Sequence, residues 1–171
     1  ASQFTAANDE FLSIADNALL RMGAGVRMSV LIWVYPDALG AVSRDILGKW
    51  RTALSNEYIL YYEAVASRYQ FGVSSDGTAF TSVNATSFGA PGTASWQMIY
   101  AEYDGVNIGI SVNNGPLDKT AFSADIFAGT STFRLGSSDV LTTDWDGRQA
   151  GGVLWKRVLT PRELTYTWNG R

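Results

Sequence analysis

The sequence predicts an all-β protein, two antiparallel sheets packed face to face, with a short C-terminal helix. Apolar residues recur with a period of two, most clearly at Val106, Ile108, Ile110 and Val112 with Asn107, Gly109, Ser111 and Asn113 between them. That alternation sends one set to a buried face and the other toward solvent. Dipeptides that accept the positive φ of tight turns punctuate the chain at Asp76-Gly77, Asp104-Gly105, Asn114-Gly115 and Asp146-Gly147. Helical signals are confined to two short stretches, neither long enough to supply a core.

In chain order, strands are expected over 10–15, 27–35, 45–50, 57–63, 68–74, 79–84, 96–103, 106–112, 132–136 and 152–158, about ten in all. The first helical stretch, 16–22, offers Asp16 as a cap and Gly23 as a stop, and its length suits a 3₁₀ turn. The second begins at Thr160-Pro161-Arg162-Glu163, where a hydroxyl cap, a proline at the first helical position and a glutamate at the third make a capping box. This helix should end near Gly170. The Gly-, Ser- and Thr-rich stretches 82–95 and 128–131 are of loop length. A chain of 171 residues fits one domain spanning 1–171, with enough sequence to bury a core unaided. Sheet on sheet is then the expected architecture.

Composition narrows the chemistry. Apolar residues make up 46% and charged residues 17%, a balance typical of a folded domain rather than a disordered one. The 13 basic and 16 acidic residues give a net charge of −3, with no Lys/Arg-rich stretch to track phosphates, so nucleic acid is not an expected partner. The chain has no Cys and no His. Disulfides, Cys/His zinc sites and every His-dependent catalytic triad are excluded. The longest apolar run, 30–35, is far shorter than the ~20 residues of a membrane helix, and the first residues lack the pattern of an export signal. A soluble chain without membrane insertion is expected, in a compartment that the absence of Cys leaves open.

Several segments together carry a resemblance: 10–16, 28–35, 46–50, 58–62, 71–77, 104–113, Trp145-Asp146-Gly147-Arg148, and the closing 154–164 with Trp168-Asn169-Gly170. In this order they resemble the laminin-G-like branch of the concanavalin A-like lectin/glucanase superfamily over nearly the whole chain. The resemblance implies a jelly-roll sandwich, in agreement with the strand count. It leaves function open, because that fold carries lectins, glycosidases, peptide-binding modules and structural domains alike.

The glycosidase reading fails on its residues. Retaining enzymes need a nucleophile and an acid/base carboxyl about 5 Å apart, and the nearest match is Glu102-Tyr103-Asp104-Gly105-Val106-Asn107. Asn107 stands where the second Glu should be, and an amide cannot shuttle the proton. The plainer expectation makes Asp104-Gly105 a hairpin turn and Glu102 an outward polar residue before it. The pair Gly23, Gly25 lacks the third glycine of a dinucleotide fingerprint, and the sequon at Asn84 receives no role. The chain is expected not to be an enzyme.

The resemblance also implies a structural Ca²⁺ between the loop before the second strand and the segment after residue 143. Here Asp9, beside Asn8 and Glu10, would face Asp144 and Asp146, but Ala150 stands where an aspartate is expected. A weakened site or none follows. Trp33, Trp96 and Trp155 lie within apolar strands and are expected in the core. Trp50, Tyr69 and Trp145 lie at strand ends beside Arg51, Arg68 and Asp144 or Asp146, where each ring either caps the sandwich or offers a face to a glycan. The expected function is a non-catalytic recognition or adhesion module binding glycans at a microbial or viral surface. The alternative is a virion decoration, tail-associated or assembly domain that docks, or oligomerises, through its surface without a small ligand. Both place the protein outside the cell or on a virion rather than in the cytoplasm.

Overall fold

The computed structural model describes residues 1–50, 54–138 and 143–169. Its strands are β1 (Ser2–Phe4), β2 (Leu12–Ile14), β3 (Met28–Pro36), β4 (Arg44–Lys49), β5 (Tyr58–Glu63), β6 (Arg68–Val73), β7 (Thr81–Asn84), β8 (Gln97–Tyr103), β9 (Asn107–Val112), β10 (Asp118–Ala121), β11 (Phe133–Leu135) and β12 (Gly147–Trp155). A 3₁₀ turn covers Ala6–Asn8 and helix α1 covers Pro161–Trp168. One six-stranded sheet runs β1-β12-β3-β8-β9-β10 and the other β2-β11-β4-β5-β6-β7. Every pairing is antiparallel. The expected all-β sandwich with a short C-terminal helix is the fold observed. Among the described residues no helix is long and apolar enough to cross a membrane.

The period-two pattern decides what lies between the sheets. Val30, Ile32 and Val34 of β3 meet Leu60 and Phe71 of the opposite sheet in the main core. The intervening Leu31 joins Met98, Tyr100 and Leu159 in a second cluster on the outer face, packed against Leu164 and Trp168. Because α1 covers that face, β3 is buried on both sides, and its sequence is a continuous apolar run rather than an alternating one. The capping box forms as expected: the Thr160 hydroxyl accepts from the Glu163 N–H, and the Glu163 carboxylate accepts from the Thr160 N–H. The helix stops at Asn169, and the expected stop at Gly170 lies outside the described residues.

Several expectations need correction. Residues 16–22 form no helix; Asn17 accepts from the Leu19 N–H in a local turn, and Asp16 is drawn into ion pairs with Arg21 and Lys49. Strand β12 begins at Gly147 rather than 152, so Asp146-Gly147 is a strand entry and not a hairpin. Gly147 lies opposite Pro36 with φ +142, and a Cβ there would come within 2.1 Å of the Tyr35 carbonyl. The turn after β9 falls one residue early, on Asn113 and Asn114 with φ of 53° and 55°. Gly115 donates back to the Val112 carbonyl at 3.0 Å, as a type I′ turn requires. Trp33 and Trp155 are half-buried under α1, with Trp33 stacked on Trp168 at 5.4 Å. Trp96 is not core: it precedes β8, is 40% exposed and meets Tyr35 edge-on. Glu102 points away from the main core in phase with Met98 and Tyr100, but it is buried on that outer face, where Tyr100 donates to it at 2.7 Å and Lys119 pairs with it at 3.3 Å.

Candidate functional site

Among the described residues no helix lies on the outer face of the second sheet, and the side chains there follow from the same alternation. In β5, Tyr58, Leu60 and Tyr62 point into the core, so Ile59 and Tyr61 must point out. Register brings Asp45 of β4 opposite Tyr61, and places Gly48 and Gly72 on either side of Ile59. Two glycines flanking one isoleucine lower the floor of the sheet there. The Phe80 ring occupies the space above Gly72, where a Cβ would come within 2.1 Å of it. Trp50 meets Phe80 edge to face at 5.3 Å and Tyr61 lies 6.4 Å from the same ring. These three rings wall a cleft of about 310 Å³, completed by Ser43, Asp45, Ile59, Ser138 and Thr143. Phe80 is 45% exposed, and Trp50 and Tyr61 are half-buried.

Asp45 supplies the charge. Its carboxylate accepts from the Thr143 hydroxyl at 2.5 Å, and its N–H donates to the Thr143 carbonyl at 2.6 Å. Burial pushes its carboxyl up, against hydrogen bonds from Ser138 and Thr143, and the nearby Asp144 charge adds to the push. Asp45 is the one carboxylate among the described lining residues, so those residues supply no acid/base pair. The cleft can take a flat ring against aromatic walls and accept hydrogen bonds from that ring's polar edge.

The residues singled out from sequence distribute unevenly. Trp50 lines the cleft, and its neighbour Arg51 lies outside the described residues. Tyr69 and Trp145 are fully buried and present no face to a ligand. Tyr69 points inward between the sheets, stacks on Phe88 and donates to Gln97 at 2.9 Å. Trp145 lies in the core, where its backbone N–H donates to the Gly136 carbonyl at 2.7 Å and fixes the segment beside the end of β11. Asp45, Tyr61 and Phe80 escaped the sequence reading. The available signal was parity: 58–62 is apolar or aromatic at every position, so one subset had to face away from the core.

At the other end of β4, Lys49 is fully buried among anions. Its ammonium lies 2.7 Å from Asp16, 2.8 Å from Glu57 and 3.0 Å from the Gly129 carbonyl, while Glu57 also accepts from the Met22 N–H at 2.7 Å. Glu102 and Asp104 share Lys119, at 3.3 and 3.0 Å, a clamp rather than a nucleophile and acid pair. Of the calcium candidates, Asp9 faces Asp144 closely enough to push its carboxyl up, after the larger effect of burial, and one Asp144 oxygen is buried without a hydrogen bond. Among the described residues no three acidic side chains gather to hold a metal ion, so Asp146 does not complete that pair. The three-carboxylate set does not assemble.

Comparison with known proteins places this fold. A family model described as the concanavalin A-like lectin/glucanases superfamily matches residues 7–165. No curated protein matches the sequence. Domain 4 of AbnA, a GH43 extracellular arabinanase from Geobacillus stearothermophilus solved in complex with arabinotriose, superposes with a TM-score of 0.71 at 16% identity, over 91% of this chain and 70% of that one. The binding domain of Paraclostridial Mosquitocidal Protein 1 gives a TM-score of 0.73 at 9% identity, over 98% of this chain and 42% of that one. The binding domain of Botulinum Neurotoxin DC, in complex with SialylT, gives 0.67 at 10% identity, over 94% and 39%. The chain therefore spans about two-fifths of the toxin binding domains, and at these identities the likeness is one of fold.

Proposed function

The chain belongs to the concanavalin A-like lectin/glucanases superfamily, and from that premise we propose that it is a non-catalytic module that binds carbohydrate in the cleft walled by Trp50, Tyr61 and Phe80. The observation that carries this reading is the aromatic corner of Trp50, Tyr61 and Phe80, which lines one open cleft together with the Asp45 carboxylate. A sugar ring has an apolar face of C–H groups and a rim of hydroxyls, and the cleft offers a partner for each. Support comes from neighbours of the same fold, one solved with arabinotriose and one with SialylT. The non-catalytic reading is supported by the single carboxylate among the described lining residues and by the Lys119 clamp across Glu102 and Asp104. The setting is a microbial or viral surface, where an adhesion module meets its glycan.

The test is a glycan array followed by titration calorimetry on Trp50→Ala and Phe80→Ala, with melting curves alongside. Phe80 is largely outside the core, so its removal should lower affinity at least about tenfold while shifting Tm by only a few degrees. A blank array, or undiminished affinity in both variants, refutes the cleft.

A further inference from the structure

Resting on that reading, we infer that the site runs on across the strands and takes a linear oligosaccharide, whose residues beyond the first are held by Tyr61, Gln70 and Asn84. Parity and register build this row. In β6 Tyr69, Phe71 and Val73 enter the core, and in β7 Val83 does, so Gln70 and Asn84 share the outer face with Tyr61. Asp45 lies opposite Tyr61, Tyr61 opposite Gln70, and Gln70 opposite Asn84. One line of paired residues therefore leads from the cleft to β7, the last strand of the sheet. The three strand spacings along it span roughly 14 Å, the length of about two to three linked sugar rings.

The polar groups along this line are open. Gln70 donates from Nε2 to Asn84 Oδ1 at 2.7 Å, which holds the two amides in one orientation. Gln70 Oε1 is left as an acceptor and Asn84 Nδ2 as a donor, neither with a partner among the described residues and both within reach of solvent. Gln70 is only 7% exposed, so packing fixes its oxygen in place. Polar groups held this firmly usually have a partner. A pair of adjacent sugar hydroxyls supplies one for each amide: the first hydroxyl donates to Gln70 Oε1 and the second accepts from Asn84 Nδ2. With the first ring seated in the aromatic cleft, these contacts are intramolecular and add affinity without a second loss of translational freedom. The row thus reads chain length, and its strands β5, β6 and β7 lie wholly within the described residues.

The experiment measures binding of linear arabinose, xylose, glucose and galactose oligomers, one to four residues long, to the native chain by calorimetry. In at least one series the affinity should rise at least about tenfold from the shortest member that binds to one two residues longer, as two added hydrogen bonds allow. Asn84→Asp keeps the oxygen that Gln70 needs and deletes the open donor, whereas Asn84→Ala deletes both. Each should reduce the gain to about threefold or less, leave the affinity of the shortest member unchanged, and keep Tm within a few degrees of wild type. If short and long members bind alike and Phe80→Ala abolishes both, the cleft stands and the row falls. A gain that survives in both Asn84 variants also refutes the row. If bound oligomers are indifferent to Phe80→Ala and Trp50→Ala, or if no series binds at all, both readings fall. Asn84→Asp, which preserves the inter-strand bond, decides the matter even where Asn84→Ala does not fold.

Discussion

Replacing Lys49 with methionine should expose how much of the domain hangs on one buried ammonium. The substitution keeps length and apolar stem while deleting three contacts, to Asp16 at 2.7 Å, Glu57 at 2.8 Å and the Gly129 carbonyl at 3.0 Å. Asp16 keeps Arg21 as a partner. Glu57, fully buried, keeps the Met22 N–H as its hydrogen-bond donor among the described residues. Breaking a buried pair from one side costs about 3–5 kcal/mol, because the remaining charge stays desolvated. In a domain of this size that corresponds to a fall in Tm of roughly 6–20 °C. The deficit should depend on pH with a definite sign. Burial already pushes the Glu57 carboxyl up, with Lys49 opposing, and loss of the ammonium raises it further. A carboxyl whose folded value exceeds its unfolded value costs nothing below the unfolded value and destabilises increasingly as pH rises through the folded one. The variant should therefore lie closer to wild type at pH 5 than at pH 8. Lys49→Met/Glu57→Gln removes the orphaned charge and keeps an acceptor for Met22, so it should recover at least half of the loss. Melting by circular dichroism decides the matter: a Lys49→Met Tm within about 2 °C of wild type at pH 8 would refute the cluster as a stabilising tie.

Two further outcomes follow from the acidic groups. The Asp76 carboxylate accepts from the Ala79 and Thr78 N–H groups and from the Thr78 hydroxyl, which lowers it to about 2; its contribution is complete above the unfolded value of about 3.9 and is lost as pH falls toward 2. Asp76→Asn should accordingly flatten the Tm profile between pH 5 and pH 2, and an unchanged slope in acid titration would contradict this. With Asp9 and Asp144 facing each other among the described residues, melts in EDTA and in millimolar Ca²⁺ should agree within about 5 °C, and Asp9→Asn should raise Tm in EDTA at pH 7 by relieving Asp144 of a like charge; a larger calcium shift would show that two carboxylates suffice for a metal, and a fall in Tm for the variant in EDTA would refute the repulsion.

Strand periodicity made most of the sandwich legible, and the failures have local causes. Strands β1 and β10 are edge elements of three and four residues, too short for alternation to emerge. The entry of β12 was hidden because Asp146-Gly147 has the composition of a turn, whereas the glycine is required by the close approach of the Tyr35 carbonyl. The site was legible in part. Trp50 was found because it ends an apolar strand beside polar residues. Tyr69 and Trp145 satisfy the same local description yet point inward, since direction at a strand end is set by register with the neighbouring strand and not by composition. Phe80 was invisible for the same reason: its place over Gly72 depends on a glycine eight positions earlier in another strand.

The cleft and the buried ion cluster are consecutive in the chain, and that adjacency has a physical consequence. Lys49 points inward and Trp50 outward, as alternation demands, so the contacts that pin the lysine also fix the backbone from which the tryptophan projects. An aromatic wall held this way loses little freedom when a sugar ring settles against it, which lowers the ordering cost of binding. Phe80 is positioned from the opposite side by the missing side chain of Gly72, a steric seat rather than an electrostatic one. The two walls thus answer to different perturbations. Weakening the Lys49 cluster should loosen Trp50 and leave Phe80 in place, whereas filling the seat at Gly72 should displace Phe80 and leave the cluster intact.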